Sequence, residues 1–133
     1  MIIAVDFDGV LCENRWPDIG RPNMKMITRL KELQSQGHKI ILWTCRTDND
    51  FKDYNRNDEV RHLLTEAVEW CKDFGLAFDY VNENSKENIS IYKNDCRKVH
   101  ANIYIDDQNA SPEFMEKYNI PFVWGQTYME KIL

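Results

Sequence analysis

MIIAVDFDGV, residues 1–10, runs five apolar side chains together and then breaks the run with two carboxylates, Asp6 and Asp8, on either side of Phe7. A short, continuous apolar run is the pattern of a strand buried on both faces, as in a parallel sheet covered by helices. Gly9 follows at once, and a residue without Cβ lets the chain turn sharply after the second acid. Two like charges at the end of a buried strand repel by about 4 kcal/mol at ~4 Å and an effective dielectric of 20, so a cation belongs beside them.

The same pattern recurs downstream. KIILW (39–43) predicts a second buried strand, FDYVN (78–82) a short third, NIYIDD (102–107) a fourth and PFVW (121–124) a fifth. Between them lies helical periodicity. Ile27, Leu30 and Leu33 recur at helical spacing within 23–36, with Pro22 suited to the first turn and Gly37 placed to end the helix. Val60, Leu63, Leu64, Ala67, Val68 and Cys71 predict one apolar face of a second helix, capped by Asn57 or Asp58. Strands alternating with helices predict an α/β fold: a doubly wound, Rossmann-like, three-layer α/β/α domain over 1–133 with a mainly parallel five-stranded sheet and right-handed crossovers. In such sheets ligands bind at the carboxyl ends of the strands, where strand order reverses.

Composition narrows the partners. A net charge of −5 and a pI near 5.2 argue against nucleic acid captured by charge alone, without excluding a local basic patch. Cys12, Cys45, Cys71 and Cys96 form no C-x-x-C pair and read as reduced thiols of a cytoplasmic protein, Cys45 as a buried structural thiol. No run approaches ~18 apolar residues and Met1 leads directly into a strand pattern, so neither a membrane span nor a signal peptide is expected. Composition carries no signal of oligomeric state.

The strand ends carry the chemistry. The first ends in Asp6 and Asp8, the second in Trp43 and Thr44, the fourth in Asp106 and Asp107, with Lys98 shortly before it. Oxygen ligands gathered at one sheet edge suit a hard divalent cation, Mg²⁺ being usual where a substrate phosphate completes the octahedron. D-x-D-G also opens an EF-hand loop, but a strand precedes it here, Val10 takes the next ligand position and Pro17 stands where the bidentate Glu belongs.

DFDGVL (6–11), WTCRT (43–47), Lys98 and YIDD (104–107) resemble motifs I to IV of the haloacid dehalogenase superfamily, over about residues 1 to 110. The resemblance implies a Mg²⁺-dependent phosphatase acting through an aspartyl-phosphate on a small phosphorylated metabolite. It makes Asp6 the nucleophile and a metal ligand, and Asp8 the general acid and base, holding the metal through its backbone carbonyl. Thr44 binds a phosphoryl oxygen and Lys98 neutralises charge, though Arg97, Lys93 and Lys86 also lie upstream of YIDD. Asp106 ligates the metal, with Asp107 in direct or water-mediated support. Crowding by Asp6 is expected to favour the protonated form of Asp8 that an acid catalyst needs. Neither the interval from Asp8 to Thr44 nor that from Thr44 to Lys98 has room for a cap domain, so the resemblance is to the capless type. Substrate selection then falls to loops carrying Arg15, Trp16, Asp18, Arg46, Lys52 and Tyr54, and Arg46 is expected to bind a second anionic group of the substrate. Nucleic-acid-end phosphatase or phosphotransferase chemistry, and a receiver-like phosphoacceptor switch, remain as alternatives.

Overall fold

The computed structural model describes residues 1–109 and 111–119. In chain order its elements are β1 (Ile2–Val5), β2 (Cys12–Arg15), β3 (Asp18–Pro22), α1 (Met24–Ser35), β4 (Lys39–Leu42), β5 (Phe51–Asp53), β6 (Glu59–Arg61), α2 (Leu63–Asp73), β7 (Tyr80–Val81), α3 (Lys86–Tyr92), β8 (Ile103–Ile105) and α4 (Pro112–Lys117). Four strands form a parallel sheet in the order β7-β4-β1-β8. The predicted fifth strand, 121–124, lies outside the described residues. Two separate antiparallel pairs, β2–β3 and β5–β6, stand apart from the sheet.

Side chains alternate across a strand, so each apolar run serves two cores. Ile3, Val5, Ile40 and Leu42 pack on one face with Ile27 and Leu30 of α1 and with Ala67 and Cys71 of α2. Ala4 and Ile41 face the other way, against Val99. The chain steps outward from β1 to β4 to β7 and then returns across β1 to β8. Right-handed crossovers put α1 and α2 on one face and the return segment carrying Val99 on the other. The reversal therefore falls between β1 and β8.

Register brings the strand ends level. Val5 lies opposite Leu42 and Ile105, and Leu42 opposite Val81. The backbone ladder runs one step further: Asp6 N–H donates to Ile105 O (2.9 Å), Trp43 N–H to Val5 O (2.8 Å) and Asn82 N–H to Leu42 O (2.8 Å).

Two helix starts differ from the pattern-based reading. Pro22 closes β3, and Asn23 caps α1 by accepting from Met26 N–H (3.2 Å). Gly37 ends that helix as expected, at φ +95°, with Gly37 N–H donating to Gln34 O and His38 N–H to Leu33 O. Helix α2 begins at Leu63, while Val60 sits in β6 and is 45% exposed. Neither Asn57 nor Asp58 caps it: both occupy the left-handed region, at φ 55° and 59°, in the turn between β5 and β6. Asp48 serves instead, accepting from Thr65 N–H (2.8 Å) and Thr65 Oγ1 (2.6 Å). Among the described residues no helix is long and apolar enough to cross a membrane.

Candidate active site

Because β1 and β8 pair, the acids that follow them leave the sheet side by side at its reversal point. One carboxylate oxygen from each of Asp6, Asp106 and Asp107 lies within 4.8 Å of the other two. Around an octahedral Mg²⁺ with bonds of 2.0–2.1 Å, ligand oxygens stand about 3.0 Å apart when adjacent and about 4.2 Å when opposite. Three carboxylate oxygens within 4.8 Å of one another lie near that range, and an all-oxygen donor set is the kind such an ion takes. Gly9 makes the approach possible. It sits at φ +87°, and a Cβ built there would run into the Asp107 carboxylate. The glycine of DFDG is thus needed twice, for the turn and for the third acid.

Asp6 carries the electrostatic load. Burial pushes its carboxyl up from 3.8 to about 6, opposed by the Phe7 N–H that donates to Asp6 Oδ1 and reinforced by the charges of Asp106, Asp107 and Asp8. A hydrogen bond of 2.7 Å from Phe7 N–H fixes one oxygen and leaves the other for chemistry.

Asp8 is engaged differently from the expectation. Arg46 Nε donates to Asp8 Oδ2 (2.9 Å) and Nη2 to Oδ1 (2.8 Å), so each oxygen accepts a bond from a guanidinium held inside the protein. Arg46 itself is the clearest correction. Read from its loop as an anchor for a substrate anion, it is 2% exposed, with its guanidinium 5.0 Å over the Phe7 ring. Its remaining donors reach Pro17 O (3.2 Å), Asp18 O (3.0 Å) and Leu63 O (3.5 Å). A buried guanidinium needs all its N–H groups answered, and these are answered inside the protein.

Asp6, Asp8, Asp106, Asp107 and Thr44 share one cavity of about 300 Å³. Thr44 is held by its backbone N–H, which donates to Asn82 Oδ1 (2.8 Å), and its hydroxyl accepts from Arg46 N–H (3.1 Å). Lys98 does not line this cavity. Its ammonium lies 5.9 Å from the Tyr104 ring centre, and it borders a different hollow with Asn84, Cys96 and His100. The backbone there is pinned by neighbouring Val99, buried against the sheet, whose carbonyl accepts from the Tyr104 hydroxyl.

Of the rest of the lining, the sequence reading names Trp16 as a substrate contact, and not Asn14, Trp43, Cys45 or Gln108. Asn14 and Trp16 come from the β2–β3 hairpin, Trp43 and Cys45 from the segment after β4, and Gln108 from the segment after β8. Cys45 is exposed, contrary to the buried thiol expected, and all four cysteines are free. The one available signal was topological: residues flanking a strand-end motif share its edge.

The hairpin tip is tied down by two guanidinium groups. Besides the Arg46 bonds, Arg61 Nη2 donates to Pro17 O (3.4 Å) and Nη1 to Asp18 Oδ1 (2.9 Å) and Asp53 Oδ2 (2.7 Å). Arg61 also grips both oxygens of Glu66 on α2. Trp16 meets Phe51 of β5 edge-on, with ring centres 5.3 Å apart. Asp18 is thus taken up by this network, while Arg15, Lys52 and Tyr54 are exposed and do not line the cavity.

Fold and site together define an α/β protein with an acidic triad at the reversal point of a parallel sheet. No family model and no curated protein matches the chain. Among solved structures, a conserved protein coded by a locus of Bacteroides thetaiotaomicron is 33% identical, with a TM-score of 0.65, and the match covers 96% of this chain and 97% of that one. The chain belongs to the same family as that conserved protein.

Proposed function

We propose that the protein is a Mg²⁺-dependent phosphomonoester hydrolase of the haloacid dehalogenase type, capless, with Asp6 as nucleophile. The finer fold reading, three layers with a fifth strand from 121–124, belongs to the same proposal. The observation that supports it most is the convergence of Asp6, Asp106 and Asp107 at the β1–β8 reversal, with Gly9 clearing the space for the third acid.

In this reading Asp6 attacks phosphorus with the oxygen not held by Phe7 N–H, a P–O bond to Asp6 forms, and the bond to the leaving oxygen breaks. Water then attacks phosphorus, giving its proton to Asp8, the P–O bond to Asp6 breaks, and inorganic phosphate leaves as the Asp6 carboxylate is restored. Mg²⁺, held by Asp6, Asp106 and Asp107, would supply positive charge against the phosphoryl oxygens. Thr44 lines the same cavity, and its hydroxyl would donate to one of those oxygens. Asp8, which lines the same cavity and is held by Arg46, is the acid available to the leaving oxygen. Lys98 has no step in this arrangement unless it leaves the Tyr104 ring.

The test is phosphate release from acetyl phosphate and ribose 5-phosphate, with Mg²⁺, with chelator, and with Asp6→Asn. Many turnovers per chain, lost in both controls, are expected. Uptake of a single phosphate per chain would instead favour the receiver-like switch, and no phosphate chemistry at all would remove the proposal.

A further inference from the structure

We propose that this site selects a phosphomonoester whose leaving group carries a flat, uncharged heteroaromatic ring, of which a nucleoside monophosphate is the nearest chemical class, and that Trp16 is the residue that selects it. The inference rests on the hydrolase reading above and adds the substrate class.

Three observations carry it. First, what remains of the lining beyond the acids and Thr44 is two indoles, two carboxamides and a thiol: Trp16, Trp43, Asn14, Gln108 and Cys45. Indoles cover planar rings, and carboxamides offer both a donor and an acceptor to the polar edge of a heterocycle. Second, no Lys or Arg lines the cavity among the described residues, and the guanidinium nearest to Asp8 is buried and fully engaged. A second phosphate on the substrate would meet carboxylates and no cation, which disfavours bisphosphates and nucleic-acid strands. A cavity of about 300 Å³ is also at the small end for ligand sites and suits a mononucleotide rather than a polymer.

Third, Trp16 is held in place yet left open. It is 53% exposed, a large apolar surface given to solvent. Its ring meets Phe51 edge-on, and its backbone is held by the main-chain N–H donating to Asn14 Oδ1 (3.3 Å) and by the bonds from Arg46 and Arg61 to the neighbouring Pro17 carbonyl. An indole on a held backbone, braced on one side by Phe51 and lining the acidic cavity, loses less conformational freedom when a base stacks on it than a free one would, and the stacking recovers the apolar area now wetted.

The experiment compares kcat/KM for adenosine 5′-monophosphate and ribose 5-phosphate, which share the ester and its charge and differ in the base. The nucleotide is expected to be preferred about tenfold or more, Trp16→Ala to reduce that ratio about tenfold, and Trp16→Phe to keep most of it. Adenosine 3′,5′-bisphosphate is expected to be turned over more slowly than the monophosphate. Equal kcat/KM for nucleotide and sugar phosphate, or a Trp16→Ala variant that lowers both in proportion, overturns the selectivity and leaves the hydrolase standing. Phosphate release from neither ester overturns both.

Discussion

The carboxyl edge of the sheet and the pair of hairpins beside it supply the same cavity by opposite physical means. Asp6 follows β1, with Ile3 and Val5 buried on one face and Ala4 on the other, and Asp106 follows the part-buried β8, which pairs with β1 residue for residue, so packing and the backbone ladder fix them. The β2–β3 hairpin has a mostly exposed pattern and is fastened instead by directional bonds from Arg46 and Arg61. Apolar packing tolerates the loss of a polar atom at a strand end, whereas a hydrogen-bonded clamp does not tolerate the loss of its donor. Changes at the edge should therefore remove chemistry while the fold persists. Changes at the hairpins should disturb order and selectivity first.

The largest expected effect is at the edge. Asp6→Asn should lower phosphate release by about 10⁴ or more, because the nucleophile is gone, while circular dichroism stays native. A variant that unfolds would break the comparison, since it would make the edge depend on this one side chain.

Next comes Gly9→Ala. The added methyl displaces the Asp107 carboxylate and strains a backbone at φ +87°, so Mg²⁺ activation should shift to about 10–100-fold higher metal concentration. An unchanged Mg²⁺ titration would show that Asp107 is not needed near the ion. The result also decides between the direct and the remote role left open for that residue.

A smaller effect is expected at the clamp. Arg46→Lys keeps a charge but loses the fork that spans both Asp8 oxygens and two hairpin carbonyls. Stability should fall by roughly 2 kcal/mol, and turnover by about tenfold for alkyl phosphates and less for acetyl phosphate, whose leaving group needs no proton. Arg46 is thus a positioning residue. Equal losses for both substrates would show that it orders the hairpin and does nothing for Asp8.

The same contrast explains what the chain disclosed before folding. Ile2–Val5 and Lys39–Leu42 lie within the apolar runs that predict them, and adjacency of β1 and β8 then forces Asp6 and Asp106 together. Local pattern and topology suffice there. Arg46 was misread because its partners, Asp8 and the Pro17 and Asp18 carbonyls, lie 28 to 38 residues away and meet it only after the hairpin forms. Val60 continues the helical period of α2, yet β5–β6 pairing, in which it faces Lys52, claims it for a strand. Lys98 stands eight positions before Asp106, but spacing does not reveal that the burial of Val99 turns this stretch towards Tyr104. Long-range polar closure has no period to read.

The smallest effect is a pH dependence that separates the cost of the edge from its function. In the metal-free protein the folded state holds the Asp6 proton more tightly than the unfolded chain does, with a carboxyl at about 6 against an ordinary 3.8. The stabilising difference is complete below about 3.8 and is lost as pH rises through about 6, where folding must hold an ionised carboxylate that is partly buried among other acids. Asparagine at position 6 never ionises, so Asp6→Asn should match wild type in melting temperature near pH 4 and exceed it by a few degrees at pH 7.5 without metal. Mg²⁺ should close that gap by stabilising wild type, since the ion binds the folded state with Asp6 as a ligand, and should move the variant less. A gap of the opposite sign at pH 7.5 would mean that Asp6 is stabilised in its ionised form by the apo site. The acidic edge would then be a relaxed feature of the fold rather than a strained one that the metal relieves.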